Sequence, residues 1–180
     1  GITGPTAAAS GNDSLYYTLP AMMDGLAISA SMSPGRAAQE THTSFGLVYT
    51  GVEGLTVKYG QGDSGAPGAE TESTTMMASY AIGSFTLSAS NTEADNTGAA
   101  NREVDAYQLA YTVSDDISIT YGSETFDLTG NATDEEVEAF GVSYTSGGMT
   151  ISANSYEAKG AGNSATAKSD KWALTAAFAF

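Results

Sequence analysis

The chain of 180 residues has no cysteine, one tryptophan, and only six lysines and arginines against 21 aspartates and glutamates. Without cysteine, neither a disulfide scaffold nor a zinc–thiolate site can form. The formal net charge of −15 leaves no basic patch for phosphates, which excludes nucleic acid as a partner. No apolar run approaches the roughly 18 residues of a transmembrane helix, so a membrane protein with this sequence must be a closed β-barrel.

The last ten residues alternate strictly in hydropathy. Trp172, Leu174, Ala176, Phe178 and Phe180 share one parity, and small or polar residues occupy the other. Such alternation predicts a strand with one apolar and one polar face, as between lipid and water. A half-buried strand of a soluble protein has the same alternation, so this segment alone does not decide between them.

A repeat of about 30 residues decides in favour of the membrane. Five segments share the pattern of a turn residue followed by apolar, small, apolar and polar positions; they begin at residues 25, 54, 84, 116 and 148, so their spacings are 29, 30, 32 and 32 residues. This period fits two strands of about ten residues, one short turn and one longer loop.

The pattern predicts an all-β fold, a transmembrane antiparallel β-barrel with eleven strands in this chain. The predicted strands are 13–19, 25–32, 43–51, 54–60, 73–82, 84–91, 103–113, 117–126, 136–145, 148–156 and 169–180. Short turns alternate with long polar loops, as in outer-membrane barrels. Tyr49, Tyr80, Tyr111 and Tyr144 each precede a short turn, the position of an interfacial aromatic girdle.

The chain resembles the trimeric general diffusion porins of Gram-negative outer membranes, in particular the alphaproteobacterial kind. The resemblance rests on the hairpin period, on Phe178 and the terminal Phe180, and on residues 13–28, which resemble the strand, turn and strand that follow the porin constriction loop. It implies a barrel-assembly signal at Phe178 and Phe180, and a homotrimer among outer-membrane lipid and lipopolysaccharide. It also implies a passive channel for small hydrophilic solutes.

The family has sixteen strands, and its constriction loop precedes the sixth. If residues 13–19 form that sixth strand, eleven strands remain, which is the number predicted from the hydropathy pattern. We therefore expect one porin domain over residues 1–180, with residues 1–12 as the tail of the constriction loop and residues 13–180 as strands six to sixteen. The alternative is a complete barrel of twelve strands, one of which has a weak pattern.

The predicted water-facing parity consists mostly of small polar residues, which favours a wide hydrated channel over a packed barrel interior. In the family, basic wall residues face an acidic constriction loop, and here Lys58 is the clearly basic residue in mid-strand on this parity. The predicted pore-lining residues are Lys58, Thr56, Ser29, Gln108, Thr120 and Ser143.

The acidic residues concentrate in or beside the predicted long loops. A vestibule with such a lining would raise the local concentration of cations, so we expect a cation preference. The predicted vestibule residues are Asp63, Glu70, Glu72, Asp127, Asp134, Glu135 and Glu136. Carboxylate clusters could also hold a loop-bound Ca²⁺, although no calcium-loop spacing is present. We therefore expect no metal site and no cofactor.

Two other classes remain as alternatives. An outer-membrane enzyme needs a general base, and His42, the single histidine, has no accompanying serine and carboxylate pattern. A secreted β-rich adhesin would suit the acidic, glycine-rich loops, but the repeat of calcium-binding β-rolls is absent. We expect a channel without enzymatic activity.

Overall fold

The computed structural model describes residues 14–35, 40–66 and 68–179, and in these residues the fold is one antiparallel sheet of eleven strands. The expected constriction-loop tail, residues 1–12, lies outside the described residues, as does Phe180. A short 3₁₀ helix spans Ala161–Asn163. The strands are β1 Leu15–Thr18, β2 Leu26–Ser33, β3 His42–Tyr49, β4 Leu55–Ala66, β5 Ala69–Ile82, β6 Phe85–Asn96, β7 Arg102–Ser114, β8 Ile117–Leu128, β9 Glu135–Ser146, β10 Met149–Lys159 and β11 Lys168–Phe178.

Each strand pairs with its neighbours in sequence, so the sheet is a simple meander. Gly54, the turn residue that begins one of the five repeated segments, shows why glycine occupies this position. Its φ is +76°, and a Cβ there would collide with the carbonyl oxygen of Ala81 on the neighbouring hairpin. The turn therefore needs a residue without a side chain. Within the described residues, we find no helix with the length and apolar character to cross a membrane.

The two faces of the sheet differ in chemistry and in exposure. Leu87 and Ser88 are adjacent on β6, and Leu87 is 58% exposed while Ser88 is 8% exposed. The same contrast recurs along the other strands, because the sheet curves and crowds the small polar side chains on its concave side. We call the concave side, which carries Ser88, the polar face, and the convex side, which carries Leu87, the apolar face. The predicted all-β architecture is confirmed.

The strands extend further toward the long connections than predicted. β4 reaches Ala66 and β5 begins at Ala69, although residues 61–72 were predicted to be a loop. β6 likewise continues to Asn96. The prediction was wrong because it ended each strand where apolar residues stop. Backbone pairing continues beyond that point, whereas the apolar pattern marks only the part of the strand that is suited to lipid.

The sheet is open. β11 pairs with β10, and among the described residues neither β11 nor β1 has a strand partner on its other side. Residues 171–178 do not pair with residues 15–18, so the described strands form part of a barrel and not a small closed one.

Candidate functional site

The polar face brings together all six predicted pore-lining residues. Ser29 lies on β2, Thr56 and Lys58 lie on β4, and the strand register places them on the same face as Gln108, Thr120 and Ser143. Each of the six is half-buried. Their assignment to a channel lining stays a prediction, but the parity on which it rests agrees with the register of the sheet.

Much of the polar face satisfies its own hydrogen-bonding groups. The hydroxyl oxygens of Ser31 and Ser44 are 2.6 Å apart, and those of Ser118 and Ser143 are 2.7 Å apart. Ser88 donates to Ser79 over 2.9 Å. These pairs join directly opposed residues of neighbouring strands, an arrangement that stabilises a sheet. Small hydroxylated side chains therefore cover much of this face.

Three charged residues of the polar face belong to neither the predicted pore lining nor the predicted vestibule. Arg102 lies at the start of β7, and its guanidinium carbon is 5.9 Å from the ring centroid of Phe126. Glu124 lies on β8 and Lys171 lies on β11, opposite Tyr156. Arg102 lies one residue outside the predicted strand 103–113. Glu124 and Lys171 lie within the predicted strands 117–126 and 169–180 but near their loop ends, and the alternation along those strands places both on the polar face.

The central part of the polar face has a recess of about 480 Å³ over β6 to β10. Its floor contains the small residues Ala106, Gly122, Ala139 and Gly141. A Cβ on Gly141 would stand 2.6 Å from the Oδ1 of Asn154 and 2.7 Å from the Oγ1 of Thr120. Two polar side chains therefore converge over the space that glycine leaves free.

Most of the predicted vestibule residues lie on the apolar face of the sheet. Asp63, Glu70, Glu72, Asp127 and Glu136 are on strands, and by register they belong to the apolar face, beyond its apolar residues. Asp63, Glu70, Glu72 and Asp127 fall in predicted loops and Glu136 begins a predicted strand, so the sequence pattern does not predict which face these acids occupy. Glu135 belongs to the polar face, and Asp134 precedes β9.

The outward carboxylates form rows across the strands. Three rows consist of directly opposed acids: Asp63 with Glu72 and Asp95, Glu93 with Glu103 and Asp127, and Glu138 with Glu157 and Asp170. Like charges in such pairs destabilise a sheet. Lys159 Nζ, 3.6 Å from Glu157 Oε1, offsets one of them. Water and dissolved salt screen the repulsion between the remaining carboxylates, which lie at the surface.

Two of the predicted vestibule carboxylates, Asp63 and Glu70, accept hydrogen bonds from nearby backbone amides. Burial raises the pKa of Asp63, but hydrogen bonds from Thr43 outweigh this effect and leave the pKa below its ordinary value. The Thr43 amide and hydroxyl both donate to Asp63 Oδ1, over 2.7 and 2.6 Å. Glu70 accepts from the Gly68 amide over 2.9 Å, which lowers its pKa. Both carboxylates are therefore kept ionised.

The predicted acidic cluster at residues 134–136 does not converge on one point. Glu135 and Glu136 are consecutive on β9, so their side chains leave opposite faces of the sheet. Glu135 Oε2 already accepts from the Gly162 amide over 2.9 Å. Across the part of the chain that the structure describes, no group of three or more Asp, Glu or His side chains could hold a metal ion.

A curved antiparallel sheet with an apolar convex face and a polar concave face defines a transmembrane β-barrel protein of the outer-membrane type. The profile of the Gram-negative porin family matches residues 1–180. The chain therefore belongs to the Gram-negative porin family, and its location is the Gram-negative outer membrane.

Solved structures agree in fold. An anion-selective porin from Comamonas acidovorans matches with a TM-score of 0.67 at 15% identity, over 81% of this chain and 48% of that one. A porin refined at 1.8 Å resolution matches with a TM-score of 0.68 at 16% identity, over 97% of this chain and 66% of that one. The trimer form of OmpT from Vibrio cholerae matches with a TM-score of 0.57 at 16% identity, over 92% of this chain and 64% of that one.

The chain thus spans about half the length of the Comamonas porin and about two thirds of the other two. At these identities the likeness concerns the fold alone. The comparison with curated proteins gave no match.

Proposed function

We propose that this protein forms a water-filled channel through which small hydrophilic solutes and ions cross the outer membrane by passive diffusion. The observation that carries the proposal is the polar face, where small hydroxylated residues replace the large side chains of a packed barrel interior. Ser31, Ser44, Ser79, Ser88, Ser118 and Ser143 satisfy one another and leave a smooth surface to water.

The same face argues against catalysis. His42 lies at the start of β3, and within the described residues its ring makes no hydrogen bond to a serine or carboxylate. Without a base oriented by a second group, the face lacks the arrangement that nucleophilic catalysis needs. The proposal therefore includes no reaction and no cofactor.

Swelling of liposomes that contain the purified protein tests the channel. Neutral sugars of increasing size should enter at rates that fall with their size, and the rates should rise in proportion to solute concentration without saturating. Saturation for every sugar would indicate a carrier or a specific channel. Impermeability to all of them would refute the proposal.

We propose further that the channel prefers cations and that this preference depends strongly on salt. Support comes from the outward carboxylate rows, which give the loop-side rim a large negative charge. The lumen side is more balanced, since Lys58, Arg102 and Lys171 share the polar face with Glu124 and Glu135. The rim charges act through the sheet and the surrounding water, so their effect should reach the lumen only when the Debye length is long.

We propose a homotrimer, in which part of the apolar face contacts a neighbouring barrel and the rest contacts lipid and lipopolysaccharide. OmpT of Vibrio cholerae, which has the same fold, is described in a trimer form. Ala78 and Ala89 are directly opposed on this face and offer a flat surface for close contact. Chemical cross-linking in native membranes should give trimers, and Ala89→Trp should reduce their yield if this patch is the contact.

A further inference from the structure

We propose that the recess over β6 to β10 is a solute-binding subsite for a monosaccharide-sized organic cation, such as a protonated amino sugar. The inference rests on the proposed channel function, because it assumes that solutes reach the polar face. It adds a preferred solute class and names the residues that bind it.

The first argument is that several polar groups in the recess are left unpaired. In other parts of the polar face hydroxyls pair across the strands, as Ser79 does with Ser88, and Thr92, which also lines the recess, pairs with Thr75. Among the described residues, the side chains of Gln108, Thr120, Asn154 and Tyr156 make no hydrogen bond to protein, although all four line the recess. Each can therefore exchange water for a solute hydroxyl without breaking a bond within the wall.

The second argument is shape. Ala106, Gly122, Ala139 and Gly141 remove side-chain volume from three neighbouring strands, and the resulting hollow measures about 480 Å³. Ligand sites in proteins range from about 300 to 1,000 Å³, so the hollow suits a single sugar ring. At its floor, Asn154 Oδ1 and Thr120 Oγ1 converge over Gly141, and a bulkier residue would force them apart.

The third argument is charge. Glu124 is the charged residue among those that line the recess, and it is exposed to water. Its carboxylate can only accept hydrogen bonds when ionised, so it favours an ammonium group. Two cations of the polar face lie outside the lining. Arg102 is on the adjacent strand β7 with its guanidinium over Phe126, and Lys171 lies three strands away on β11, or about 14 Å at the usual strand spacing. That distance exceeds the Debye length of about 8 Å in physiological salt, so Lys171 offsets Glu124 little.

The combination selects one solute class. The carboxylate of Glu124 accepts hydrogen bonds from an ammonium, and the amides of Gln108 and Asn154 and the hydroxyls of Thr120 and Tyr156 match sugar hydroxyls. An anion would meet Glu124 with no compensating positive group in the lining. A neutral sugar would gain the hydroxyl contacts but lose the charged one, which contributes about fivefold to tenfold in affinity at an exposed site.

Saturation-transfer NMR on the full-length protein in detergent micelles tests the subsite without requiring a conducting channel. The probes are glucosamine, held below the pKa of its amine, and N-acetylglucosamine, which has the same ring without the charge. We expect glucosamine to bind about fivefold to tenfold more tightly, and Glu124→Gln to remove that difference. Glu136→Gln makes the same charge change on the apolar face of the next strand and should have no effect.

Gly141→Ala tests the floor of the recess separately. It should weaken the binding of both sugars, because the new Cβ displaces Asn154 and Thr120. Heat-modifiable migration on gels confirms that each variant is folded. Equal binding of the two sugars to the wild type, or an equal effect of Glu124→Gln and Glu136→Gln, would overturn the proposal.

Liposome swelling on the same preparation separates the two hypotheses. Diffusion of sugars without charge-dependent binding would leave the channel standing and remove the subsite. Binding that requires Glu124, in a protein that passes no sugar, would retain the subsite and remove the channel.

Discussion

An arginine placed at Leu109 or at Gln108 should affect the protein in opposite ways, although the two residues are adjacent on β7. Leu109 lies on the apolar face, is 42% exposed, and is opposed by Leu87 and Tyr121. It also lies midway between Tyr107 and Tyr111, which share its face. This position corresponds to the middle of the lipid-facing band, where an arginine costs about 2–4 kcal/mol in folding free energy.

Gln108 points to the polar face, opposite Ser88 and Gly122. An arginine there keeps its guanidinium in water and next to the recess, so Gln108→Arg should change the folding free energy by less than about 1 kcal/mol. It should instead shift the ion preference of the channel toward anions. Because every 1.4 kcal/mol is a factor of ten in an equilibrium constant, the two variants should differ by at least about fivefold and as much as a thousandfold in their folding equilibria.

Reversible urea unfolding in lipid vesicles measures the difference, with the loss of heat-modifiable migration as the signal. Val142 and Ser143 on β9 provide an independent matched pair, again on opposite faces. Equal destabilisation by arginine at both members of a pair would refute the assignment of faces, and with it the interpretation of the polar face as the channel side.

Three further outcomes are expected. In planar bilayers under a KCl gradient, reversal potentials should show a cation preference that fades toward 1 M salt, where the Debye length is about 3 Å. Neutralising the row Glu93, Glu103 and Asp127 should weaken this preference at low salt only. An unchanged preference at low salt would exclude a role for this row. Because the pKa of Asp63 is lowered on folding, the ionised Asp63 carboxylate should stabilise the fold above its ordinary pKa of 3.8, and this stabilisation should be lost as the pH falls through the lower folded value. Asp63→Asn should remove that component of the pH dependence of unfolding. If the component remains in Asp63→Asn, Thr43 does not stabilise the carboxylate. Chelation of divalent ions at constant ionic strength should leave the melting temperature unchanged, since no described cluster can hold a metal, and a marked fall would restore calcium binding at the loops.

The fold was predictable from hydropathy because a barrel strand must alternate wherever it separates lipid from water. The same constraint predicts Lys58, Gln108 and Ser143 on one face, and the strand register places them there. It weakens at the strand ends, where both faces meet water and either parity can be polar. The pattern therefore predicts loops at Glu72 and Asp95, although the two residues are directly opposed on β5 and β6.

The recess was not predictable, because it depends on which small residues become neighbours across strands. Gly122 and Ala139 are directly opposed, and Gly141 is opposed to both Thr120 and Asn154. That arrangement depends on the register of three strands, which the turns and loops set. In sequence, these residues look like the rest of the small polar parity.

Thiol accessibility through the channel is the most direct test of the central claim. Because the chain has no cysteine of its own, only the introduced thiol can react. Single variants Gln108→Cys and Leu109→Cys, reconstituted into planar bilayers, would be exposed to a charged, membrane-impermeant methanethiosulfonate. We predict a stepwise fall in current for Gln108→Cys and no change for Leu109→Cys. No conductance from the wild type, no fall in current for Gln108→Cys, or an equal fall in both variants would contradict the claim that the polar face lines a water-filled channel.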